Sequence, residues 1–188
     1  MRESGRQRVV FLDRDGTINE DVDYLSDPSG LVIIAGAGKA IRLLNENGVK
    51  VIVITNQSGV GRGYFKDSDV EAVNARLKEL LAMDGASIDA IYYCAHTPDD
   101  GCECRKPGMA LASLSAREHG FDLRGAYVVG DKSSDLGLAR NISARGVLVL
   151  TGKGAKEAEG LVEPPDFIAQ DLLSAVEWIL EDMERTGG

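Results

Sequence analysis

The sequence predicts an α/β fold in which a doubly wound parallel sheet is covered by helices on both faces. Short apolar runs, of the kind found in buried strands, alternate with segments whose apolar residues recur at helical spacing. Polar residues capable of chemistry follow several of these runs directly, as they do where a parallel sheet carries its site at the carboxyl ends of the strands. The chain has 188 residues, 44% of them hydrophobic, and is expected to form one domain over residues 1–188.

Five apolar runs account for the predicted strands. Because helical segments separate them, the strands are expected to lie parallel and to be joined by right-handed crossovers. They comprise residues 9–12, 49–54, 88–93, 126–129 and 147–150, with a further short extended piece at residues 31–34.

The helices are predicted from apolar residues spaced three and four apart. Ser68 and Glu71 match a capping box that opens one helix. The pair Asn47-Gly48 ends the helix before it, and Gly120 ends a later one. The predicted helical segments are marked by residues 37–44, 70–81, 109–119, 134–141 and 172–183.

Asp13 and Asp15 follow the first predicted strand directly. Because side chains alternate along an extended chain, the two carboxylates point to the same side, with backbones about 6.6 Å apart. At that separation they can share a divalent cation, and one acid can attack phosphorus while the other handles the proton. Gly16 allows a sharp turn that keeps both acids at the edge of the sheet. The alternative interpretation is an acidic turn that merely ends a strand.

Three further polar groups each follow an apolar run of their own. Thr55 ends the second strand, Lys106 lies in the loop after the third, and a group of acids follows the fourth. A hydroxyl with nearby backbone N–H groups suits phosphate oxygens, and acids beside a lysine suit metal-assisted phosphoryl chemistry. The candidate residues are Thr55, Asn56, Gln57, Ser58, Lys106, Asp131 and Asp135.

The interval from Asp15 to Thr55 leaves little room for a second domain. Only about forty residues separate the two, and a helix and a strand occupy much of that interval. No separate cap domain fits, so the site is expected to be open to a phosphate at the end of a small sugar or another metabolite. The loops at residues 21–24 and 59–65 are the expected rim, and Asp21 and Tyr24 are candidate substrate contacts.

All three cysteines of the chain lie with a histidine in an inserted loop at residues 94–107. Two close pairs of sulfur and imidazole ligands are what a closed tetrahedral zinc site uses, and such a site is structural because it has no open position for water. A disulfide cannot pair three thiols, and the remaining alternative is a cluster of free or redox-active thiols. The four candidate zinc ligands are Cys94, His96, Cys102 and Cys104.

In order and position, these motifs resemble those of the haloacid dehalogenase superfamily, whose phosphatases use an aspartate nucleophile. Residues 11–19 and 55–65 and the cysteine loop are similar to one branch, whose members hydrolyse a heptose bisphosphate or histidinol phosphate. The superfamily motifs match Asp13-x-Asp15-Gly16-Thr17, Thr55, Lys106 and Gly130-Asp131-x-x-x-Asp135.

The resemblance implies a role for each catalytic side chain. Asp13 is the implied nucleophile, and Asp15 is the implied general acid, which then serves as the base. Thr55 and Lys106 are implied to bind the non-bridging phosphate oxygens, and Arg105 to recognise the substrate.

The resemblance also implies two metal cofactors. A catalytic Mg²⁺ is expected on Asp13, the backbone carbonyl of Asp15 and Asp131. Asp135 is expected to orient Lys106 or a metal-bound water. A structural Zn²⁺ is expected in the cysteine loop, which it holds in shape so that the loop can deliver its basic residues to the acid pair.

The net charge of −9 disfavours nucleic acid and anionic membrane surfaces as partners, because both are bound through basic patches. Basic residues are nevertheless concentrated in the motif loops, where they are expected to attract a phosphate; scattered solvated charge is the alternative. The sequence has no run of about 18 apolar residues, which would predict a membrane span. It also has no Walker motif, which would indicate a nucleotide-driven kinase. The basic residues are Arg14, Arg62, Arg105, Lys106 and Lys132, and Lys132 is also a candidate substrate contact.

Three functions remain open on the sequence alone. The leading one is a magnesium-dependent phosphatase that removes the 7-phosphate of a heptose bisphosphate on the route to lipopolysaccharide or related sugars. Histidinol-phosphate hydrolysis would use the same motifs, and a non-catalytic binding module would use only the zinc loop. Because residues 1–8 carry no secretory h-region, a cytoplasmic protein is expected, and a monomer is the expected state.

Overall fold

Six parallel strands form one sheet in the structure, a computed structural model that describes residues 7–186. The strand order is β3-β2-β1-β4-β5-β6, which confirms the predicted doubly wound sheet. The chain runs from β1 outward to β3 and then returns to the other side of β1, so a crevice opens between the carboxyl ends of β1 and β4. The strands are β1 (Val9–Leu12), β2 (Lys50–Asn56), β3 (Ala90–Cys94), β4 (Tyr127–Gly130), β5 (Arg145–Val149) and β6 (Phe167–Ala169).

Helices connect these strands and cover both faces of the sheet. Two 3-10 turns, Pro28–Gly30 and Pro98–Asp100, lie in the loops. The helices are α1 (Ala37–Glu46), α2 (Ser58–Gly61), α3 (Asp67–Met83), α4 (Ala110–His119), α5 (Ser133–Asn141), α6 (Gly154–Glu159) and α7 (Leu172–Thr186).

Alternate residues of β1 face opposite layers of the core. Val10 and Leu12 belong to the apolar cluster that includes α1, α3 and α7, whereas Val9 and Phe11 belong to the cluster formed with α4 and α5. Both faces of the sheet are therefore buried, as a parallel sheet requires. Since β1 is buried along its whole length, the residues that follow it emerge at a fixed point of the crevice.

The five predicted strands are present as β1–β5, with ends that differ by one or two residues. Residues 31–34 do not form a strand; Ile33 makes a single antiparallel bridge with Asn19. The strand β6 was not predicted, because three residues with an exposed Ile168 at the sheet edge give no recognisable pattern. Likewise α2 and α6 are too short to display a helical period.

The predicted capping box of α3 is wrong, although the helix itself is present. The helix begins at Asp67, and the carboxylate of Asp69 accepts a hydrogen bond of 2.8 Å from the N–H of Lys66. Asp69 therefore fills the role predicted for Glu71, and Lys66 lies at the N-cap position predicted for Ser68. Lysine is not among the residues preferred at an N-cap, so the capping pattern does not indicate this start.

No separate cap domain is present among the described residues. Between β1 and β2 the chain forms one 3-10 turn and α1, as the spacing of Asp15 and Thr55 predicted. Within residues 7–186, none of the helices combines the length and apolar character needed to span a bilayer. The polar start at residues 1–6 lies outside the described residues.

Candidate active site

Asp13 is the first residue after β1 and lies in the crevice between β1 and β4. Its N–H donates to the carbonyl oxygen of Val129 at 2.9 Å and so extends the pairing of the two strands. The side chain is only 5% exposed, and its Oδ1 accepts a hydrogen bond of 2.8 Å from the N–H of Arg14. The sheet therefore fixes where this carboxylate lies.

Lys106 reaches the acids from the loop after β3. Its Nζ lies 2.8 Å from Asp13 Oδ1 and 2.6 Å from Asp135 Oδ1, and it donates to the carbonyl oxygen of Ile54 at 2.6 Å. The side-chain amide of Asn56 accepts from the Lys106 N–H at 3.0 Å and donates to its carbonyl oxygen at 3.3 Å. Asn56, predicted as a substrate contact, therefore holds the backbone of Lys106 at the end of β2.

These contacts determine the protonation states of the buried charges. Burial opposes ionisation of Asp13, but the ammonium groups of Lys106 and Lys132 outweigh it, so the pKa of Asp13 lies below its ordinary value. Burial lowers the pKa of Lys106, whereas Asp13 and Asp135 raise it and prevail. Burial raises the pKa of Asp131 and brings that of Asp135 to about 7, although the neighbouring lysines oppose both shifts. Asp13 is accordingly an ionised carboxylate next to a charged lysine.

Asp15 accepts four hydrogen bonds from three side chains. Arg14 donates through Nε at 3.2 Å to one oxygen and through Nη2 at 2.9 Å to the other. Asn19 donates to Oδ1 at 2.9 Å, and Gln57 donates to Oδ2 at 2.8 Å. Gln57 also donates to the buried hydroxyl of Thr55 at 2.9 Å, so the residues after β1 and β2 are linked directly.

Four oxygens surround the ammonium group of Lys132. Its Nζ lies 3.1 Å from Asp131 Oδ1, 3.2 Å from the backbone oxygen of Asp15, and 3.6 Å from both Asp13 Oδ2 and Asp21 Oδ2. Carboxylate oxygens of Asp13, Asp131 and Asp135 all lie within 4.8 Å of one another. Three carboxylates and a carbonyl surround this one positive charge, and hard oxygen donors of this kind are what Mg²⁺ prefers. The residues predicted to bind magnesium therefore fit that ion.

The loop between β5 and α6 completes this part of the site and was missed by the sequence analysis. Thr151 Oγ1 donates to the carbonyl oxygen of Gly16 at 2.7 Å, and the N–H of Lys153 donates to Asp131 Oδ2 at 2.9 Å. A Cβ atom on Gly152 would lie 2.3 Å from Asp131 Oδ2 and 2.6 Å from the Cα of Gly16. Only glycine fits this close approach. The sequence did contain a signal, because Gly152 and Gly154 follow the fifth predicted strand. The recognised motifs also follow predicted strands.

A pocket of about 240 Å³ opens above these groups. The predicted nucleophile, acid, hydroxyl and lysine all contribute to its wall, together with Lys153 from the missed loop. Every residue predicted to contact substrate also lines it, namely Asp21, Tyr24, Asn56, Gln57, Ser58, Arg105 and Lys132.

Two of the basic residues predicted to attract a phosphate lie elsewhere. Arg14 is completely buried and Arg62 is exposed, and neither lines the pocket. Arg14 lies at a bend after β1, and its guanidinium donates to Asp15 and Asn74. Arg105, Lys106 and Lys132 do line the pocket, but together with Lys153 they face four carboxylates, so the wall is mixed in charge rather than basic as predicted.

The cysteine loop brings its four candidate ligands together. The Sγ of Cys94 lies 3.6 Å from that of Cys102 and 2.9 Å from that of Cys104. The Nδ1 of His96 lies 3.6 Å from Cys94 Sγ and 3.2 Å from Cys104 Sγ. Ligands about 2.3 Å from a shared zinc would be about 3.8 Å apart at tetrahedral angles, so the cluster matches such a site after small outward shifts. Arg105 and Lys106 follow the cluster directly in the sequence and line the pocket, so the shape of the cysteine loop determines where they lie.

Known proteins resemble this chain in sequence over most of its length. The family model for HAD-hydrolase-like proteins matches residues 103–175. A D-glycero-D-manno-heptose-1,7-bisphosphate 7-phosphatase from Thermosynechococcus vestitus is 41% identical over 185 residues, covering 91% of this chain and 94% of that protein. A D-glycero-beta-D-manno-heptose-1,7-bisphosphate 7-phosphatase from Pseudomonas aeruginosa is 40% identical and covers 92% of this chain and 98% of its own length.

A solved structure agrees with these sequence relatives. The D,D-heptose 1,7-bisphosphate phosphatase from B. bronchiseptica, complexed with magnesium and phosphate, has a TM-score of 0.88 and 35% identity over 94% of this chain and 99% of that one. The fold and the site together define a phosphatase of the haloacid dehalogenase type. Sequence identity at this level over nearly the whole chain specifies a family within that superfamily. The chain belongs to the family of D-glycero-D-manno-heptose-1,7-bisphosphate 7-phosphatases.

Proposed function

We propose that this protein hydrolyses the 7-phosphate of D-glycero-D-manno-heptose 1,7-bisphosphate in a magnesium-dependent reaction. The observation that carries the proposal is the ionised carboxylate of Asp13, held 2.8 Å from Lys106 at the floor of an open pocket whose wall carries both lysines and carboxylates. The names of the relatives support the heptose bisphosphate as the substrate. The open pocket suits a terminal phosphate on a small sugar.

The proposed reaction begins when Asp13 attacks phosphorus in line with the leaving oxygen. The bond from the Asp13 oxygen to phosphorus forms as the bond from phosphorus to the sugar oxygen breaks. Asp15 donates its proton to that sugar oxygen and then accepts one from the water that attacks the aspartyl phosphate. Inorganic phosphate leaves, and the carboxylate of Asp13 is restored. Thr55 and Lys106 bind the non-bridging oxygens throughout.

Residues on the other side of the crevice would hold the magnesium ion. We assign Asp13, the backbone carbonyl of Asp15 and Asp131 to this role, since their oxygens converge on one position. When bound, the ion offsets the negative charge of the phosphate and the attacking carboxylate. The loop at Thr151-Gly152-Lys153 keeps Asp131 in place through the Lys153 N–H.

We further propose that zinc on the cysteine cluster has a structural role. Four protein ligands close a tetrahedral site, which leaves no position for a reacting water. The loop carries Arg105 for substrate recognition and Lys106 for the phosphoryl group, so its shape determines both contacts. Localisation in the cytoplasm, a monomeric state and a single domain over residues 1–188 stay predictions.

A substrate panel tests the proposal. We expect kcat/KM for the heptose bisphosphate, with magnesium present, to exceed that for histidinol phosphate, and a large preference for histidinol phosphate would overturn the substrate assignment. We expect Asp13→Asn to abolish turnover while the protein stays folded, whereas Asp99→Asn, at an exposed position of the cysteine loop, serves as the matched control. Failure of the unaltered protein to hydrolyse any phosphate monoester would favour a non-catalytic binding module instead.

A further inference from the structure

The charged side chain of Arg14 has no role in the proposed reaction as described so far. Its side chain is the largest that is fully buried, with 0% exposure, and it does not line the pocket. A buried guanidinium is unfavourable unless its donors are paired. Its partners are the two oxygens of Asp15 and the side-chain oxygen of Asn74, which lies 2.9 Å from Nη1. All of these contacts serve to connect Asp15 with α3.

We propose that Arg14, anchored by Asn74, is a positioning residue that fixes the plane of the Asp15 carboxylate for proton transfer. The inference deepens the proposed function and rests on the acid–base role of Asp15. Arg14 is the only one of the donors to Asp15 that binds both carboxylate oxygens. Rotation of the carboxylate would therefore break two charge-assisted hydrogen bonds at once. Asn19 and Gln57 each hold one oxygen and leave that rotation less restricted.

Asn74 on α3 keeps the guanidinium of Arg14 in place. Asn74 is nearly buried, and it accepts from the one terminal nitrogen of Arg14 that does not bind Asp15. With both ends of the guanidinium held, Arg14 cannot turn with the acid. Asp15 is 18% exposed and lines the pocket. The arrangement thus keeps its carboxylate in a constant orientation at the pocket wall.

Positioning of Asp15 has different consequences for the two halves of the reaction. An alkoxide leaving group needs the proton of Asp15, whereas p-nitrophenolate leaves without one. Attack of water on the aspartyl phosphate needs Asp15 as base with either substrate. A misplaced Asp15 should therefore slow both steps for an alkyl phosphate but only the second step for p-nitrophenyl phosphate.

Arg14→Lys tests this difference, because it keeps the charge and removes the bidentate fork. With p-nitrophenyl phosphate we expect a rapid burst of about one equivalent of p-nitrophenolate per enzyme, followed by turnover reduced about 10²-fold. With the heptose bisphosphate we expect a similar loss of kcat without a burst, and an altered pH profile. Arg76→Lys on α3, the helix that carries Asn74, is the matched control. Arg76 lies at the surface, where it pairs with Glu79, and this variant should match the unaltered protein.

A second variant keeps the test decisive if Arg14→Lys does not fold. Asn74→Ala keeps Arg14 and Asp15 unaltered and removes only the hydrogen bond between Arg14 and Asn74. The same burst should appear, with a smaller loss of turnover of about tenfold. Unchanged kinetics in both variants, or equal slowing of both steps without a burst, would overturn the inference. Asp15→Asn is measured in parallel. If it retains full turnover, the acid–base assignment fails and the role of Arg14 falls with it, whereas an inactive Asp15→Asn beside a normal Arg14→Lys refutes the positioning role alone.

Discussion

The ammonium group of Lys106 lies 2.6 Å from the carboxylate of Asp135, and both side chains are almost completely buried. Lys106 comes from the cysteine loop and Asp135 from the first turn of α5, so this ion pair joins the loop to that helix. The same ammonium lies 2.8 Å from Asp13. One cation thereby holds two acids that would otherwise repel each other in a buried site.

Lys106→Met is expected to destabilise the protein as well as inactivate it. The variant leaves Asp13 and Asp135 without their shared cation, and breaking a buried ion pair by removing one partner costs about 3–5 kcal/mol. Urea unfolding without added magnesium measures this loss, and the double variant with Asp135→Asn should recover part of it because a neutral amide replaces one unpaired carboxylate. Lys78→Met, at an exposed position of α3, is the control, and equal stability of the two single variants would contradict the prediction.

Gly152→Ala is expected to weaken magnesium binding. Its Cβ would meet Asp131 Oδ2 at 2.3 Å and the backbone of Gly16 at 2.6 Å, so the metal ligand must move. Loss of a residue that supports a metal ligand typically lowers affinity about 10–100-fold. The magnesium concentration for half-maximal activity should rise by that factor.

Gly48→Ala is the matched control for this prediction. Both glycines have positive φ, 56° for Gly152 and 68° for Gly48, but a Cβ on Gly48 would meet nothing within 4 Å. The two variants share the backbone strain of a left-handed alanine, and only one disturbs Asp131. An equal magnesium requirement in both would argue against a positioning role for the loop.

The sequence predicts the parts of the site that follow a recognisable strand. Asp13, Thr55 and Asp131 each come after an apolar run, and the rule that such strand ends meet at one edge brings them together. The role of Arg14 was predicted wrongly because charge was considered without side-chain direction. The chain bends at Arg14, whose side chain is buried against Asn74 of α3.

Other features depend on contacts that no local pattern contains. The hydrogen bond from Thr151 to Gly16 joins residues 135 positions apart, and Asn74 meets Arg14 from the middle of a helix that its sequence marks only as amphipathic. The N-cap of α3 is Lys66 rather than the predicted Ser68, although lysine is not among the residues preferred at that position. Local patterns therefore predict the elements, and the three-dimensional packing determines how the residues between them pair.

Loss of the zinc site is expected to reduce both stability and activity. Cys94→Ser removes the buried ligand of the cluster, so the loop that carries Lys106 should lose its fixed shape. Metal analysis should find less than one zinc per chain, the thermal unfolding midpoint should fall, and kcat should decrease although Asp13 is unchanged. Asp99→Asn in the same loop is the control. Full activity of a rigorously zinc-free protein would disprove the structural role.

Tyr24 is expected to contribute to substrate binding without affecting the chemical step. It lines the pocket from one rim loop and meets Tyr64 of the other edge-on, with ring centroids 4.9 Å apart. Asp23 and Tyr24 both have positive φ, at 38° and 57°, and such backbone strain persists only where surrounding contacts support it. The aromatic contact therefore holds the rim loop over the mouth of the pocket.

Tyr24→Ala should raise KM for the heptose bisphosphate several-fold, because an aromatic pair of this kind contributes about 0.5–1.5 kcal/mol. The kcat should be nearly unchanged, since the rim lies away from the reacting atoms and its contacts are made equally in the ground state and the transition state. Tyr24→Phe keeps the ring and should resemble the unaltered protein. Steady-state kinetics on the three proteins measure both constants, and a loss confined to kcat would instead place Tyr24 in the chemical step. A second measurement with a small alkyl phosphate separates the rim from the catalytic floor, because a substrate too short to reach Tyr24 should have the same KM in all three proteins.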